Sequence, residues 1–405
     1  MAINPHASSP FAALADELTQ RRADHLYRQR PLLQSPQGPV VTVAGRTLNN
    51  FCSNDYLGLA HHPALVAAAR EAVAQWGVGS GASHLVCGHQ QPHQDAEDAL
   101  AAFVGKPAAL TFATGYLGNL AVITGLVGRE DAVFADKLNH ASLNDACLLS
   151  RATFKRYAHN NLTQLAHLLA NTPARRKLIV ADAVFSMDGD QAPLAELLAL
   201  AEAHDAWLFI DDAHGFGVLG EGRGAMAAAG LDSPRIVYLA TLGKAAGGAG
   251  AFVAAEAVVI DYLINHARPY IYTTAAPALL GAVTQASLRV IQTEPERRVA
   301  LQAHIELLRV RLLAAGVALM PSSTPIQPVL MPDSATALAA SQALRQRGHW
   351  VAAIRPPTVP MPRLRITLSA AHNTATVAQL ADDLIEILRD LPAMPGGAAA
   401  PGDPA

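Results

Sequence analysis

A lysine and a carboxylate in this sequence stand where two strands are predicted to end. Lys244 follows the strand-like run 236–240, within the segment TLGKAAGGAGA. Its apolar and small neighbours disfavour the ammonium form, lower the pKa of the amine and favour Schiff-base chemistry. Asp211 closes the apolar run 207–211, which is predicted to be a buried strand. For Lys244 taken alone, an ordinary surface lysine after a strand is the alternative.

Together, an amine and a carboxylate fit a pyridoxal phosphate site, where the carboxylate keeps the pyridine nitrogen protonated. His214 follows Asp211 closely, with a loop histidine as its alternative. Ser186 follows another predicted strand, 178–181. Because ligands of parallel α/β sheets bind beyond the carboxyl ends of the strands, the shared position of Ser186, Asp211 and Lys244 predicts one site.

Two further stretches have residues suited to binding a ligand. Gly115 and Tyr116 open a predicted helix, whose N-terminus is either an anion site or an ordinary helix start. His140 either stacks on a flat ring or bonds to the main chain of its loop. The glycine-rich segment 77–88 allows close approach of a ligand, but it lacks the spacing of a nucleotide-binding GxxxxGK loop.

Arginines and prolines are concentrated in the segment RPPTVPMPRLR, residues 355–365. The prolines favour an extended path, and a guanidinium group can bind a carboxylate through two hydrogen bonds. For Arg355 and Arg363, solvated charges at a strand end are the alternative. Arg365 stands between two apolar residues of a predicted strand, so alternation places it on one chosen face.

Alternating strands and helices predict an α/β protein whose large central sheet is mostly parallel, followed by a smaller α+β region. We expect an N-terminal helix and hairpin over 1–50, a large cofactor-binding domain over 51–280, a small domain over 281–392 and a disordered tail over 393–405. The N-terminal helix is predicted over 10–30, and strands of the small domain are predicted over 317–320, 326–331, 350–354 and 364–368.

Composition excludes several classes of protein. The chain has 405 residues, of which 51% are hydrophobic, so a large core and two domains are possible. The net charge of −3 gives no basic field for nucleic acid. Three cysteines, without metal-ligand spacing, indicate a reducing compartment and predict neither disulfide nor metal. With no signal-peptide pattern and no sufficiently long apolar run, we expect a soluble cytoplasmic protein without membrane contact.

Read together, the segments SNDYLGL, SMDGD, DDAHGFG, TLGK and IRPPTVP resemble the α-oxoamine synthase family of pyridoxal 5'-phosphate (PLP) enzymes, over roughly residues 14–391. The resemblance implies a fold-type-I homodimer with sites at the subunit interface. IRPPTVP is most similar to the biotin-pathway branch, which implies condensation of L-alanine with a pimeloyl thioester, carried by coenzyme A (CoA) or acyl carrier protein (ACP). The alternatives are a glycine-using member, such as glycine C-acetyltransferase, and a binding protein without chemistry.

The resemblance also implies residue roles. Lys244 resembles the Schiff-base lysine, Asp211 the partner of the pyridine nitrogen, His140 the ring-stacking histidine and His214 the residue that bonds the phenolic oxygen. His140 is also the candidate donor to developing oxygen charge. The remaining cofactor positions, several around the phosphate, are Gly115, Tyr116, Ser186 and Thr241. The substrate-side positions are Arg28, Asn54, Thr358 and Arg365, and Arg365 is the expected clamp for the amino-acid carboxylate.

Two short segments, 273–274 and 245–247, carry further expectations from the resemblance. Thr273 or Thr274 is expected to reach the phosphate of the neighbouring subunit. After TLGK, the related enzymes carry Gly-Phe-Gly, whereas this chain has Ala245-Ala246-Gly247. Loss of the aromatic side chain predicts looser packing behind the lysine.

Overall fold

The chain opens with a helix and a hairpin. The structure is a computed structural model that describes residues 10–24 and 26–391, so His25 and the predicted tail lie outside the described residues. Helix α1 (Ala12–Ala23) ends earlier than the predicted residue 30. Strands β1 (Val40–Val43) and β2 (Arg46–Asn50) form the predicted hairpin, with positive φ at both residues of its turn. Two helices follow, α2 (Pro63–Trp76) and α3 (Gln91–Val104).

A seven-stranded sheet forms the centre of the structure. Its strands are β3 (Ala108–Phe112), β4 (Ala132–Asp136), β5 (Thr153–Tyr157), β6 (Lys177–Asp182), β7 (Ala206–Asp211), β8 (Ile236–Thr241) and β9 (Ala251–Ala255). Their spatial order is β3-β9-β8-β7-β6-β4-β5. Only β9 runs against its neighbours, so the predicted mostly parallel sheet is confirmed.

Helices cover both faces of this sheet. They are α4 (Gly115–Leu126), α5 (Ala141–Ser150), α6 (Leu162–Asn171), α7 (Leu194–Ala203), α8 (Ala225–Ala228), α9 (Ala257–His266), α10 (Arg268–Ile271) and α11 (Ala278–Thr293). Alternation along β4 sends Phe134 into one hydrophobic cluster and Val133 into the other. Burial on both faces explains why inner strands such as β4 and β7 read as continuous apolar runs.

The C-terminal region contains a smaller antiparallel sheet. Its elements are α12 (Glu296–Ala314), β10 (Ile326–Leu330), α13 (Ser334–Gln346), β11 (His349–Trp350), β12 (Ala352–Ile354), β13 (Arg363–Thr367) and α14 (Thr374–Asp390). The sheet order is β10-β13-β12. The predicted strand at 317–320 is wrong, because there only Leu319 forms a bridge, to Val329. The predicted strand at 350–354 divides between two sheets.

The segment predicted as one strand over 350–354 links the N-terminal hairpin to the C-terminal region. β11 pairs in parallel with β2, whereas β12 pairs with β13. The N-terminal hairpin is therefore continued by a C-terminal strand into a three-stranded sheet, which the sequence pattern did not predict. The expected boundary near residue 280 falls inside α11, a helix that contacts α2 and α3. The domain limits themselves stay a prediction.

Candidate active site

Lys244 and Asp211 meet at one edge of the large sheet. Asp211 is the last residue of β7, and Lys244 follows the end of β8 in a short turn. Asp182 ends the adjacent strand β6 in register with Asp211. Burial lowers the pKa of Lys244 to about 8, against the opposing influence of Asp211 and Asp182. An amine with this pKa is partly unprotonated near neutrality and can act as a nucleophile.

Side-chain and main-chain donors hold the Asp211 carboxylate. Asn119 Nδ2 donates to Asp211 Oδ2 at 2.7 Å, and the Ala213 amide donates to Asp211 Oδ1 at 3.0 Å. Asn119 also contacts Ser142 Oγ at 2.8 Å. Asn119 was not a predicted site residue, although an amide inside the apolar helix segment LGNLAV was an available signal. These hydrogen bonds fix the orientation of the Asp211 carboxylate. A fixed orientation is what a carboxylate needs in order to pair with a protonated ring nitrogen.

His140 caps the start of α5 beside this carboxylate. Its ring accepts a hydrogen bond from the Ser142 amide at 3.3 Å, and its own amide donates to Asp182 Oδ2 at 2.6 Å. The ring keeps an exposed edge, while partial burial lowers the pKa of His140 and Asp211 opposes that shift. Burial and the charge of Asp211 raise the pKa of Asp182. A neutral, partly accessible imidazole therefore stands next to the lysine and the carboxylates.

A hydrogen-bonded chain leads from Lys244 away from the sheet edge. Lys244 Nζ lies 2.9 Å from His214 Nε2, and His214 Nδ1 lies 2.6 Å from the Tyr56 hydroxyl. That hydroxyl is 3.2 Å from Asn54 Oδ1, which also accepts from two nitrogens of Arg365, each at 3.3 Å. His214, Asn54 and Arg365 were predicted site residues, whereas Tyr56 was not.

Arg365 is buried and faces the same region. Its Nε donates to the Ser186 carbonyl oxygen at 2.7 Å, which brings two predicted site residues into contact. Arg363 lies on the same face of β13, 3% exposed, and forms an ion pair with Asp188. The alternative of a solvated strand-end charge is therefore wrong for Arg363. Arg355 is half-buried.

The start of α4 leaves room for a ligand. Thr114 caps this helix by accepting from the Leu117 amide at 3.2 Å, and a Cβ added at Gly115 would meet nothing within 4 Å. Tyr116 is 45% exposed and donates to Asp145 Oδ2 at 2.6 Å. This open helix N-terminus suits an anion such as phosphate.

The three threonines expected at the cofactor lie in two different surroundings. Thr241 Oγ1 donates to the Gly250 carbonyl oxygen at 3.0 Å and accepts from the Gly243 amide at 3.3 Å. Thr273 and Thr274 line a small cavity together with residues 113 and 117 at the start of α4. Thr273 and Thr274 therefore adjoin the start of α4 within a single chain.

Arg28 and Thr358 lie together in a separate cleft. The cleft has a volume of about 290 Å³ and is lined by residues of two segments, Arg21, Leu26, Tyr27, Arg28, Ala353, Ile354, Arg355, Pro356, Pro357 and Thr358. Neither Lys244 nor Asp211 contributes to its lining. The structure thus brings these two predicted substrate residues to one place and separates their cleft from the lining of the sheet-edge site.

The turn after Lys244 is closely packed in spite of its small residues. Ala245 and Ala246 are 1% and 2% exposed. Ser287 Oγ donates to the Ala246 carbonyl oxygen at 2.7 Å, and a Cβ at Gly217 would come within 2.8 Å of Ala245 Cβ. We therefore find no loosened packing at these two alanines.

Asp212, next to the site, is buried as well. Its Oδ2 accepts from the Ala225 amide at 2.7 Å and from the Tyr238 hydroxyl at 2.8 Å, while Oδ1 has no hydrogen-bond partner among the described residues. Burial raises the pKa of Asp212 to about 7. Both carboxylates of the pair 211–212 are therefore buried, and Asp212 supports the turn that carries His214.

Within the described ranges, one group of side chains has ligand atoms close enough to hold a metal ion: His84, His89 and His93. His84 Nδ1 already lies 2.9 Å from His89 Nδ1. Both ring nitrogens of His93 contact main-chain atoms, the Gln90 amide at 3.0 Å and the Ala276 carbonyl oxygen at 2.7 Å. An ion would have to displace at least one of these bonds.

The chain belongs to the family of class I and II aminotransferases, whose family profile matches residues 46–384. Among curated relatives, 8-amino-7-oxononanoate synthase of Nitrosomonas europaea is 57% identical over 94% of this chain and 99% of its own length. The synthase of the same name from Chromobacterium violaceum is also 57% identical, over 90% of this chain and 95% of its own length.

Solved structures agree with this assignment. A serine palmitoyltransferase from Sphingomonas wittichii superimposes with a TM-score of 0.88 and 31% identity, covering 94% of this chain and 98% of the other. An 8-amino-7-oxononanoate synthase from Francisella tularensis gives a TM-score of 0.75 and 28% identity, over 85% and 98%. The predicted fold-type-I class is confirmed. No helix among the described residues is long and apolar enough to cross a bilayer.

Proposed function

We propose that this chain is a PLP-dependent acyltransferase of biotin biosynthesis. The reaction joins L-alanine to a pimeloyl thioester of CoA or ACP and yields 8-amino-7-oxononanoate, carbon dioxide and the free thiol carrier. The observation that carries the proposal is the pairing of a buried amine, Lys244, with a fixed carboxylate, Asp211, at the carboxyl edge of a parallel sheet. The 57% identity to curated synthases of this name supports the choice of reaction.

The residues present fit PLP. Lys244 offers an amine for the aldehyde, Asp211 a carboxylate for the ring nitrogen and the start of α4 an open space for the phosphate. His214, whose pKa burial lowers strongly, lies beside the lysine as the candidate partner of the phenolic oxygen. When bound, PLP supplies an electron sink for carbanion chemistry at the amino-acid Cα.

The protein side chains then divide the work of binding and proton transfer. Arg365 holds the carboxylate of L-alanine, next to Asn54. Lys244 removes the Cα proton as general base and later returns a proton to the same carbon. His140, kept neutral by burial, donates a hydrogen bond to the oxygen that gains charge as the thioester is attacked.

The expected homodimer is part of the proposal. Apolar side chains are exposed on the glycine-rich segment 77–88 and on the nearby residue Tyr272, with Val78 at 71%, Val86 at 77% and Tyr272 at 71% exposure. Exposed apolar surface of this kind is typical of a subunit interface. Thr273 and Thr274 directly follow the exposed Tyr272, so we propose that one of them reaches the phosphate site of the neighbouring subunit, although both also adjoin the start of α4 in their own chain.

Two further parts of the proposal concern location and organisation. Three cysteines without disulfides, Cys52, Cys87 and Cys147, suit the reducing cytoplasm. The division into a cofactor-binding domain over 51–280 and a smaller domain over 281–392 also belongs to the proposal.

The test combines cofactor capture with product analysis. Purified protein is incubated with PLP, reduced with borohydride and mapped by peptide mass spectrometry, and we expect the label on Lys244. Pimeloyl-CoA or pimeloyl-ACP is then supplied with L-alanine or with glycine. Formation of 8-amino-7-oxononanoate from L-alanine supports the proposal, whereas turnover with glycine alone would favour the glycine-using branch. An unlabelled Lys244 would contradict PLP chemistry altogether.

A further inference from the structure

We infer that Tyr56 is a positioning residue that holds His214 in the tautomer with its proton on Nε2, and so presents Lys244 as a neutral amine. The inference deepens the proposed function, since it concerns how the proposed nucleophile is kept ready. Tyr56 is fully buried, and its hydroxyl lies between His214 and Asn54. It belongs to the segment SNDYLGL.

The number of available protons limits which atoms can donate and which can accept along the hydrogen-bonded series from Lys244 through His214 and Tyr56 to Asn54. A tyrosine hydroxyl has a single proton, which must go either to His214 Nδ1 or to Asn54 Oδ1. The distance to His214 is 2.6 Å and the distance to Asn54 is 3.2 Å. Asn54 Oδ1 already accepts from two nitrogens of Arg365. The 2.6 Å contact fits either direction of donation, but the amide oxygen is already occupied by Arg365, and this favours donation from Tyr56 to His214.

The direction of the hydrogen bond between His214 and Lys244 then follows from the single proton of a neutral imidazole. A neutral imidazole that accepts at Nδ1 carries its proton on Nε2. Nε2 lies 2.9 Å from Lys244 Nζ, so it donates to the lone pair of a neutral amine. The opposite order would have an ammonium group donate to Nε2, His214 donate to Tyr56, and Tyr56 become a third donor to Asn54 Oδ1.

The electrostatic surroundings agree with the neutral order. Burial raises the pKa of Tyr56 to about 12, lowers that of His214 strongly and lowers that of Lys244 to about 8. Tyr56 and His214 are therefore uncharged at neutral pH, and Lys244 is partly unprotonated there. The charged or titratable groups that face Lys244 or His214 are Asp182, Asp211, Asp212, His140 and Arg365.

The test is the substitution Tyr56→Phe in the full chain, freed of cofactor. Phenylalanine keeps the ring but removes the hydroxyl, so His214 is released to accept from an ammonium group at Nε2. We expect the pKa of Lys244 to rise by about one unit. Competitive acetylation across pH, read by peptide mass spectrometry, gives this pKa separately for each of five lysines, and Lys106, Lys137, Lys155 and Lys177 serve as internal references.

Tyr157→Phe is the matched control, because Tyr157 is 1% exposed on β5 and is absent from the hydrogen-bonded chain at Lys244. We expect no change in the pKa of Lys244 in this variant. A folded Tyr56→Phe protein with an unchanged or lowered pKa of Lys244 would overturn the inference. Because this measurement needs no PLP, its outcome is separate from cofactor capture, on which the proposed function depends.

A second measurement covers the case in which Tyr56→Phe does not fold. Histidine-selective ¹⁵N labelling of the wild-type chain reports the tautomer of each imidazole, and His214→Asn identifies the signal by its loss. We expect the proton of His214 on Nε2. A proton on Nδ1 would contradict the inference.

Discussion

The sheet-edge site and the cleft of Arg28 and Thr358 differ in how they are built. At the sheet edge, Asp211 ends β7, Lys244 follows the neighbouring strand β8, and hydrogen bonds to Asn119 and His214 hold the two side chains. The cleft is lined by the ends of α1 and β12 and by the irregular chain that follows each, and both of its predicted substrate residues lie in that irregular chain and are exposed. Strand pairing fixes the first set of side chains, whereas no regular element fixes the second. We therefore expect the first to carry the chemistry and the second to contribute only weak binding.

Removal of the Lys244 amine at the sheet edge should cause the largest loss of turnover. Lys244→Ala should lower turnover by about 10⁴-fold, because the proposed nucleophile and general base are the same group. Product formation from L-alanine and a pimeloyl thioester measures the loss. Lys177→Ala is the control, since Lys177 begins β6 at the opposite end from Asp182 and its Nζ donates to the Leu169 carbonyl oxygen at 2.7 Å, so turnover should be retained. Full activity of Lys244→Ala would refute the sheet-edge chemistry.

Loss of the fixed carboxylate should have the next largest effect. Asp211→Asn keeps the shape but cannot neutralise a protonated ring nitrogen, so turnover should fall by about 10²–10³-fold. Asp205→Asn removes a carboxylate that is 92% exposed and pairs with Arg235, and its turnover should match the wild type. Equal effects of the two substitutions would show that Asp211 acts only through the net charge of the protein. Steady-state kinetics with both substrates measures the difference.

These central residues were predictable because apolar runs ended in reactive side chains. Asp211 and Lys244 lie at strand ends, and parallel strands bring such ends to one edge. Asn119 and Tyr56 were not found, because each reaches the site by contacts with residues distant in sequence. Strand β9 was missed because its small residues resemble the alanine- and glycine-rich segment before it.

The C-terminal segment illustrates a second limit of sequence patterns. Residues 350–354 read as one strand, but hydrogen bonding assigns Trp350 to β2 and Ala352 to β13. No local pattern specifies such a change of partner, because the choice depends on where the N-terminal hairpin lies. Arg365 was correctly expected on one face of a strand, whereas its contacts with Ser186 and Asn54 required the tertiary structure.

Substitution of the buried guanidinium should separate substrate binding from stability. Arg365→Lys keeps one charge but loses the planar set of donors, so the KM for L-alanine should rise by about 10–100-fold. Arg363→Lys is the matched variant on the same face of β13, where the guanidinium pairs with Asp188. It should lower the Tm and leave the KM for L-alanine near the wild-type value. A rise in KM for both variants would contradict a specific role of Arg365.

The buried Asp212 carboxyl group should make the free energy of unfolding depend on pH. Its folded-state pKa of about 7 lies above the unfolded value of about 3.9, so the folded state binds more protons between these values. This carboxyl group should therefore make the free energy of unfolding fall as pH rises from about 4 to about 7, by on the order of 1–4 kcal/mol.

Asp212→Asn mimics the protonated form and should lack this component, which urea unfolding across the pH range measures. Asp205→Asn, at an exposed position, should keep the slope of the wild type. An identical pH dependence for wild type and Asp212→Asn would contradict the raised pKa.

A substitution in the cleft of Arg28 and Thr358 should have the smallest effect on the steady-state kinetics. Arg28→Gln removes an exposed charge that is screened by solvent, so the KM for the pimeloyl thioester should rise only about two- to fivefold, and less at high salt. The KM for L-alanine should not change, because Arg28 lies outside the contacts of Arg365. Arg30→Gln is the control, since Arg30 is exposed in the same segment but does not line the cleft. A loss of turnover comparable to that of Asp211→Asn would mean that this cleft also positions reacting atoms, and the distinction between the two regions would fail.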